Sequence, residues 1–162
     1  MAKKQQIGSK IKKWLDIEGY KTEFLFPKGF DFALELFDKS GKALGYSISK
    51  PENADVIGIS MNIKIPKEIV DIISELKEGE KISITQAMHR ELLKLIQDHK
   101  IDKDLKDIQA DERVYLDGLT RHNFMQSFVR VRNVQLYLIS VLRNKFGGEI
   151  TATSTPDHSM YS

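Results

Sequence analysis

The 162-residue chain has no cysteine, which rules out a disulfide framework and fits a cytoplasmic protein. It also lacks a strong charge of one sign: a formal net charge of +2 does not by itself call for a polyanionic partner. No apolar run approaches the roughly 18 residues that a membrane span requires. The opening residues Met1-Ala2-Lys3-Lys4-Gln5-Gln6 have no apolar core of the kind a secretory signal uses. With 41% hydrophobic and 30% charged residues, the composition is that of one soluble domain, long enough to bury a single core.

Chemical signatures are equally scarce. The segment His89-Arg90-Glu91-Leu92-Leu93 does not place two histidines one helical turn apart, as a zinc-binding helix does. Asp102-Lys103-Asp104-Leu105-Lys106-Asp107 starts like a calcium loop, but Lys106, Asp107 and Arg113 stand where a carboxylate, a glycine and the last glutamate belong. Ser40-Gly41-Lys42 lacks the first glycine of a phosphate loop, and there is no Gly-x-Ser-x-Gly elbow. The expectation is a protein with no metal, no cofactor and no catalytic residues.

What is present is periodicity. Ile7, Ile11, Trp14 and Leu15 form the stripe of an amphipathic helix whose other face carries Lys3, Lys4, Lys10, Lys12 and Lys13. That face is either a solvated helix surface or a contact for nucleic acid or a membrane surface. From Lys21 the period changes to two: Phe24 and Phe26, then Phe30, Phe32, Leu34 and Leu36, then Leu44, Tyr46 and Ile48, then Ile57 to Ile65 in steps of two. Pro27-Lys28-Gly29 and Asp38 to Lys42 supply turns. Residues 21–65 therefore read as a four-stranded antiparallel meander with one apolar face, which helices must cover.

Beyond Pro66, Ile69, Val70, Ile72, Ile73 and Leu76 predict a short helix ending near Gly79. Ser83 and Gln86 have capping-box spacing ahead of a further helix that carries Met88, Leu92, Leu95 and Ile96 and runs to about His99. The charged stretch 101–111 reads as loop, with Arg113 to Leu116 an edge strand. Thr120 caps a last helix from Arg121 to about Phe146, stopped by Gly147-Gly148. The expected fold is α+β: a four- to five-stranded antiparallel meander covered by helices, with a long C-terminal helix. Residues 1–148 form one domain, and 149–162 a disordered Ser/Thr-rich tail.

Two surfaces stand out as sites. On the second face of the central strands, Gly45, Ser47, Gly58 and Ser60 carry almost no bulk, which lets another element approach the sheet closely. They are the candidate partner-binding residues. Arg121, Arg132 and Arg143 recur every eleven residues along the last helix and share a face with apolar neighbours. They are either structural ion pairs or an anion-binding ridge, with Arg130 solvated on the polar side. The expected function is a non-enzymatic protein-interaction or chaperone-like module, with a protein partner or self-association and no membrane. The rival is a nucleic-acid-binding protein using the N-terminal lysines and the arginine ridge.

The order of elements, with Tyr115-Leu116-Asp117-Gly118-Leu119-Thr120 leading into a long helix, resembles the fold of type III secretion chaperones. Asp117 to Met125 together with Val131-Arg132-Asn133 is similar to an archaeal family of small uncharacterised proteins. The resemblance implies a non-enzymatic module that binds a protein segment as a dimer.

Overall fold

The computed structural model describes residues 2–96 and 98–147; the tail expected over 149–162 lies outside them. Four α-helices and one six-stranded antiparallel sheet make up this part of the chain. Helix α1 spans Ala2–Ile17 and buries Ile11 and Leu15 completely. It stops where Gly19 adopts φ +89°, so that Gly19 N–H reaches the Asp16 carbonyl and Tyr20 N–H the Leu15 carbonyl, a Schellman ending. Gly8 is the point of closest approach to the sheet. A Cβ there would lie 3.0 Å from Phe24 Cε1 and 3.2 Å from Phe32, so only glycine lets the helix seat on those rings.

The strands are β1 (Lys21–Leu25), β2 (Phe30–Phe37), β3 (Ala43–Pro51), β4 (Val56–Lys64), β5 (Asp98–Ile101) and β6 (Asp107–Tyr115), in spatial order β1-β2-β3-β4-β6-β5. Register fixes which side chains share a face. Phe24 pairs with Leu34, Leu34 with Ile48, Ile48 with Ile59 and Ile59 with Glu112. The next row runs from Tyr46 to Met61, Ala110 and His99. Helix α1 meets this face at Phe24 and Phe32. Helix α4 (Arg121–Phe146) meets it through Phe128 against Tyr46 and Arg130 against Glu112, and α3 (Glu78–Leu95) through His89 against His99. The core lies between, and includes Ile69 and Ile73 of α2 (Lys67–Ser74).

The sheet is larger than the sequence suggests. Residues 98–101 and 107–111, expected as helix end and loop, are strand, and β6 inserts between β4 and β5. Ile108, Ala110 and Val114 keep a buried period of two. Charged residues between them, and Glu112 within the buried row, hide that period. The connecting turn is built from the same charge run: Asp102 Oδ2 accepts from the N–H groups of Asp104 and Lys106, and Leu105 takes φ +56° to drop its side chain into the core.

The helix boundaries differ around α2 and α3: α2 ends at Ser74 rather than near Gly79, and α3 ends at Leu95 rather than near His99. Helix α3 begins at Glu78, so Gly79, Ser83 and Gln86 lie inside it rather than at a stop and a cap. Glu80 supplies the N-terminal bond, its Oε2 accepting from Lys77 N–H at 3.0 Å. Helix α4 ends as its sequence dictates: Thr120 Oγ1 accepts from Asn123 N–H, and Gly147 takes φ +73°. Gln135 is the exception in its apolar stripe. Its side chain is buried between the Tyr46 hydroxyl, which donates to Oε1, and the Leu44 carbonyl, to which Nε2 donates at 3.0 Å. Burial pushes the Tyr46 phenol well above its ordinary pKa, so it stays a neutral donor. No helix of the described residues is long and apolar enough to cross a membrane.

Candidate functional site

The second face of the sheet carries the small residues, and register arranges them in transverse rows. Glu23, Glu35, Ser47, Ser60, Asp111 and Asp98 form one row, while Leu25, Ala33, Ser49, Gly58 and Arg113 form the next. The structure thus brings Ser47, Ser60 and Gly58 together, with Gly45 further along β3 at a left-handed φ of +76°. They are not an open platform. Gly45 and Gly58 are buried, Ser47 is 5% exposed and Ser49 1%, while Ser60 is half-buried with its hydroxyl 2.5 Å from Asp111 Oδ1.

Accessible surface lies at the far end of the same rows. Strand β5 pairs with β6 only from Ile101–Ile108 to Asp98–Asp111, so among the described residues no strand faces Glu112 to Tyr115 on that side. Which backbone groups this leaves open follows from the ladder. Leu116 N–H bonds the Asp55 carbonyl across the β4 side, so alternate residues Leu116, Val114 and Glu112 direct their N–H and C=O groups toward β4. Asp102 N–H bonds the Asp107 carbonyl on the β5 side, which puts Gln109, Asp111, Arg113 and Tyr115 in the opposite set. Arg113 and Tyr115 therefore point both backbone polar groups outward, past the end of β5. Among the described residues nothing pairs with them, and they form an open strand edge two hydrogen-bonding residues long.

Two clefts flank it. One, of about 540 Å³, opens between the edge and the end of α3, and is lined by Leu93, Leu95 and Arg130 as well as Arg113 and Tyr115. The other, of about 480 Å³, lies on the opposite side and includes Gly58 and Val56. Leu93 and Tyr115 are 59% and 61% exposed and Leu95 is 38% exposed, a concentration of apolar surface at one spot. Around it the charges alternate: Arg113 reaches Asp98 at 3.6 Å, and Arg130 holds Glu112 at 2.9 Å. Arg130, expected in solvent, is thus tied to the sheet.

The sequence reads Arg113 to Leu116 as an edge strand, where the structure has a strand from Asp107 to Tyr115 with β5 beside its first half. It reads Gly58 as an open surface residue, which the structure buries, places Leu95 in the core stripe, where it is 38% exposed, and does not mark out Leu93. The signal for Leu93 was its position about 100° around the helix from Leu92, outside the buried stripe of Ile84, Met88 and Leu92.

The arginines of α4 do not form one ridge of free cations. Arg121 pairs with Glu18 at 2.8 Å, Arg132 donates from Nη1 to the Tyr20 hydroxyl at 3.4 Å, and Arg143 is exposed in the last turn, where it offsets the helix dipole. Arg132 is half-buried, and its Nε has no hydrogen-bond partner among the described residues. Among the N-terminal lysines, Lys12 bonds Asp16 and Thr22, and Lys10 sits 5.5 Å from the Trp14 ring centre. His89 Nδ1 and His99 Nε2 lie 2.8 Å apart. Among the described residues, no group of three or more histidine or carboxylate side chains is arranged to hold a metal ion.

Comparison with known proteins gives the fold a family. A crystal structure of an uncharacterised protein from Methanothermobacter thermautotrophicus is similar, with a TM-score of 0.78 and 20% identity. The likeness covers 89% of this chain and 99% of that one, and at that identity it speaks for the fold alone. No curated protein matches. The uncharacterised conserved protein family DUF2299 matches over residues 7–142, a span that takes in the whole sheet and most of α4, and the chain belongs to that family.

Proposed function

We propose that this protein is a non-enzymatic, cytoplasmic interaction module, chaperone-like in holding an extended segment of another protein against its sheet. The observation that carries the reading is the open margin of β6, where the backbone of Arg113 and Tyr115 faces outward between two clefts. A segment laid there completes the ladder by strand addition, with Leu93, Leu95 and Tyr115 supplying apolar contact. Of the small residues Gly45, Ser47, Gly58 and Ser60, Gly58 lines the cleft that the segment borders, Gly45 and Ser47 stay beneath the surface, and Ser60 is half-buried. The element order, which resembles that of type III secretion chaperones, is the reason for calling the module chaperone-like.

The nucleic-acid reading draws on the same chain's lysines and arginines. Glu18, Glu112 and Asp16 neutralise part of that charge locally, which weakens it. The two readings separate in a pull-down from host lysate with the full chain and with Tyr115→Lys, at roughly 0.1 M and 0.5 M salt. The interaction module predicts a defined protein held at both salts by the unsubstituted chain and lost by Tyr115→Lys. Nucleic acid recovered only at low salt, and equally by both chains, overturns it.

A further inference from the structure

Resting on the reading of the β6 margin as a free edge, we infer that its occupant in the isolated protein is a second copy of the same chain, with the two β6 strands paired antiparallel about a twofold axis. A twofold contact pairs each residue with one whose number makes a fixed sum, and the outward-facing groups allow few choices. If Arg113 met its own copy, Tyr115 would fall opposite Asp111, whose place is taken by Asp98 of β5. If Tyr115 met its own copy, Arg113 would fall opposite Asp117, which has already turned into the short 3-10 helix Leu116–Gly118. Only Arg113 opposite Tyr115 matches free residues with free residues, and it does so twice.

That register is also the one the side chains favour. Both residues stand on the sheet face away from the helices, so each Arg113 guanidinium lies beside the facing Tyr115 ring, a cation–π pair, and no like charges are opposed within the two pairs. Leu93 and Leu95 border the same seam from the helix side and lose exposure there. The contact is short, which places it at the small end of the interface range and makes the dimer sensitive to dilution.

Val114 lies on the axis and meets its own copy as a non-hydrogen-bonded pair, with Cα atoms about 4.5 Å apart. That spacing suits a disulfide, and the chain has no cysteine of its own to interfere. The test uses the full chain carrying Val114→Cys, alone and combined with Tyr115→Lys, oxidised gently and run without reductant. The expected result is a covalent dimer at twice 18.6 kDa that Tyr115→Lys abolishes by placing a lysine opposite Arg113. Failure of Val114→Cys to cross-link while folded, or cross-linking unaffected by Tyr115→Lys, overturns the pairing.

Sedimentation equilibrium of the chain without cysteine gives an independent reading, since Val114 is buried and its replacement can disturb folding. A dimer that dissociates on dilution and is lost in Tyr115→Lys agrees with the inference, whereas a monomer at every concentration contradicts it. A monomer whose capture of a protein still depends on Tyr115 refutes the self-pairing alone and leaves the edge reading standing.

Discussion

The middle of the sheet and its β6 margin differ both in backbone pairing and in burial. Ser47 and Ser49 on β3 have strands on both sides and are almost out of contact with solvent, although their side chains are small and polar. Arg113 and Tyr115 occupy the same face, have β4 on one side only, and are exposed. Side-chain size in a strand therefore says how closely something can approach, whereas an interaction surface is located by backbone groups that the fold leaves without partners.

Substitutions at the two places should separate sharply. Ile59→Ala, in the fully buried row of β4, is expected to cost about 3 kcal/mol, read as a lower denaturant midpoint with an unchanged slope. A cost below about 1 kcal/mol would mean that the centre of the sheet is not the packed core described here. Gly8→Ala tests how tightly α1 is held on that centre. Alanine ordinarily favours a helix, but here its Cβ meets the Phe24 and Phe32 rings, and a net loss of about 1 kcal/mol is expected. A gain in stability would show that α1 seats more loosely. Tyr115→Lys, at the margin, should change stability by no more than about 0.5 kcal/mol while removing association.

The contact of α3 with β5 has a pH signature of its own. His89, which links α3 to β5 through His99, is held below its ordinary pKa of 6.5, first by burial and then by the neighbouring His99. The unfolded chain therefore binds more protons at this site than the folded one. Stability is fully present above the ordinary pKa and declines as the pH falls below it, a modest effect because His89 is only partly buried. Thermal midpoints measured from about pH 7 to pH 5 should fall less in His89→Gln than in the unsubstituted chain. Equal slopes would remove the histidine pair from the account.

Much of the fold was legible because local signals agreed with tertiary packing. The caps of α4 at Thr120 and Gly147, and the alternation in β1 to β4, each follow from residue type and period. Strand β6 was only partly legible, since Glu112 occupies a core-facing position and finds its partner, Arg130, on an element 18 residues away. Helix α3 was misplaced at its start because its N-terminal bond comes from Glu80 acting on Lys77 rather than from a serine. The candidate site was half visible: Tyr115 and Gly58 could be named, but the early end of β5, which leaves the edge open, is a matter of strand length that no side chain announces.

Amide hydrogen exchange on the ¹⁵N-labelled full chain, at a low and a high protein concentration, tests the open margin most directly. The account predicts that at low concentration Arg113 and Tyr115 exchange rapidly while Glu112 and Val114, bonded toward β4, stay protected, and that raising the concentration slows Arg113 and Tyr115 together. Protection of all four amides at both concentrations would contradict it.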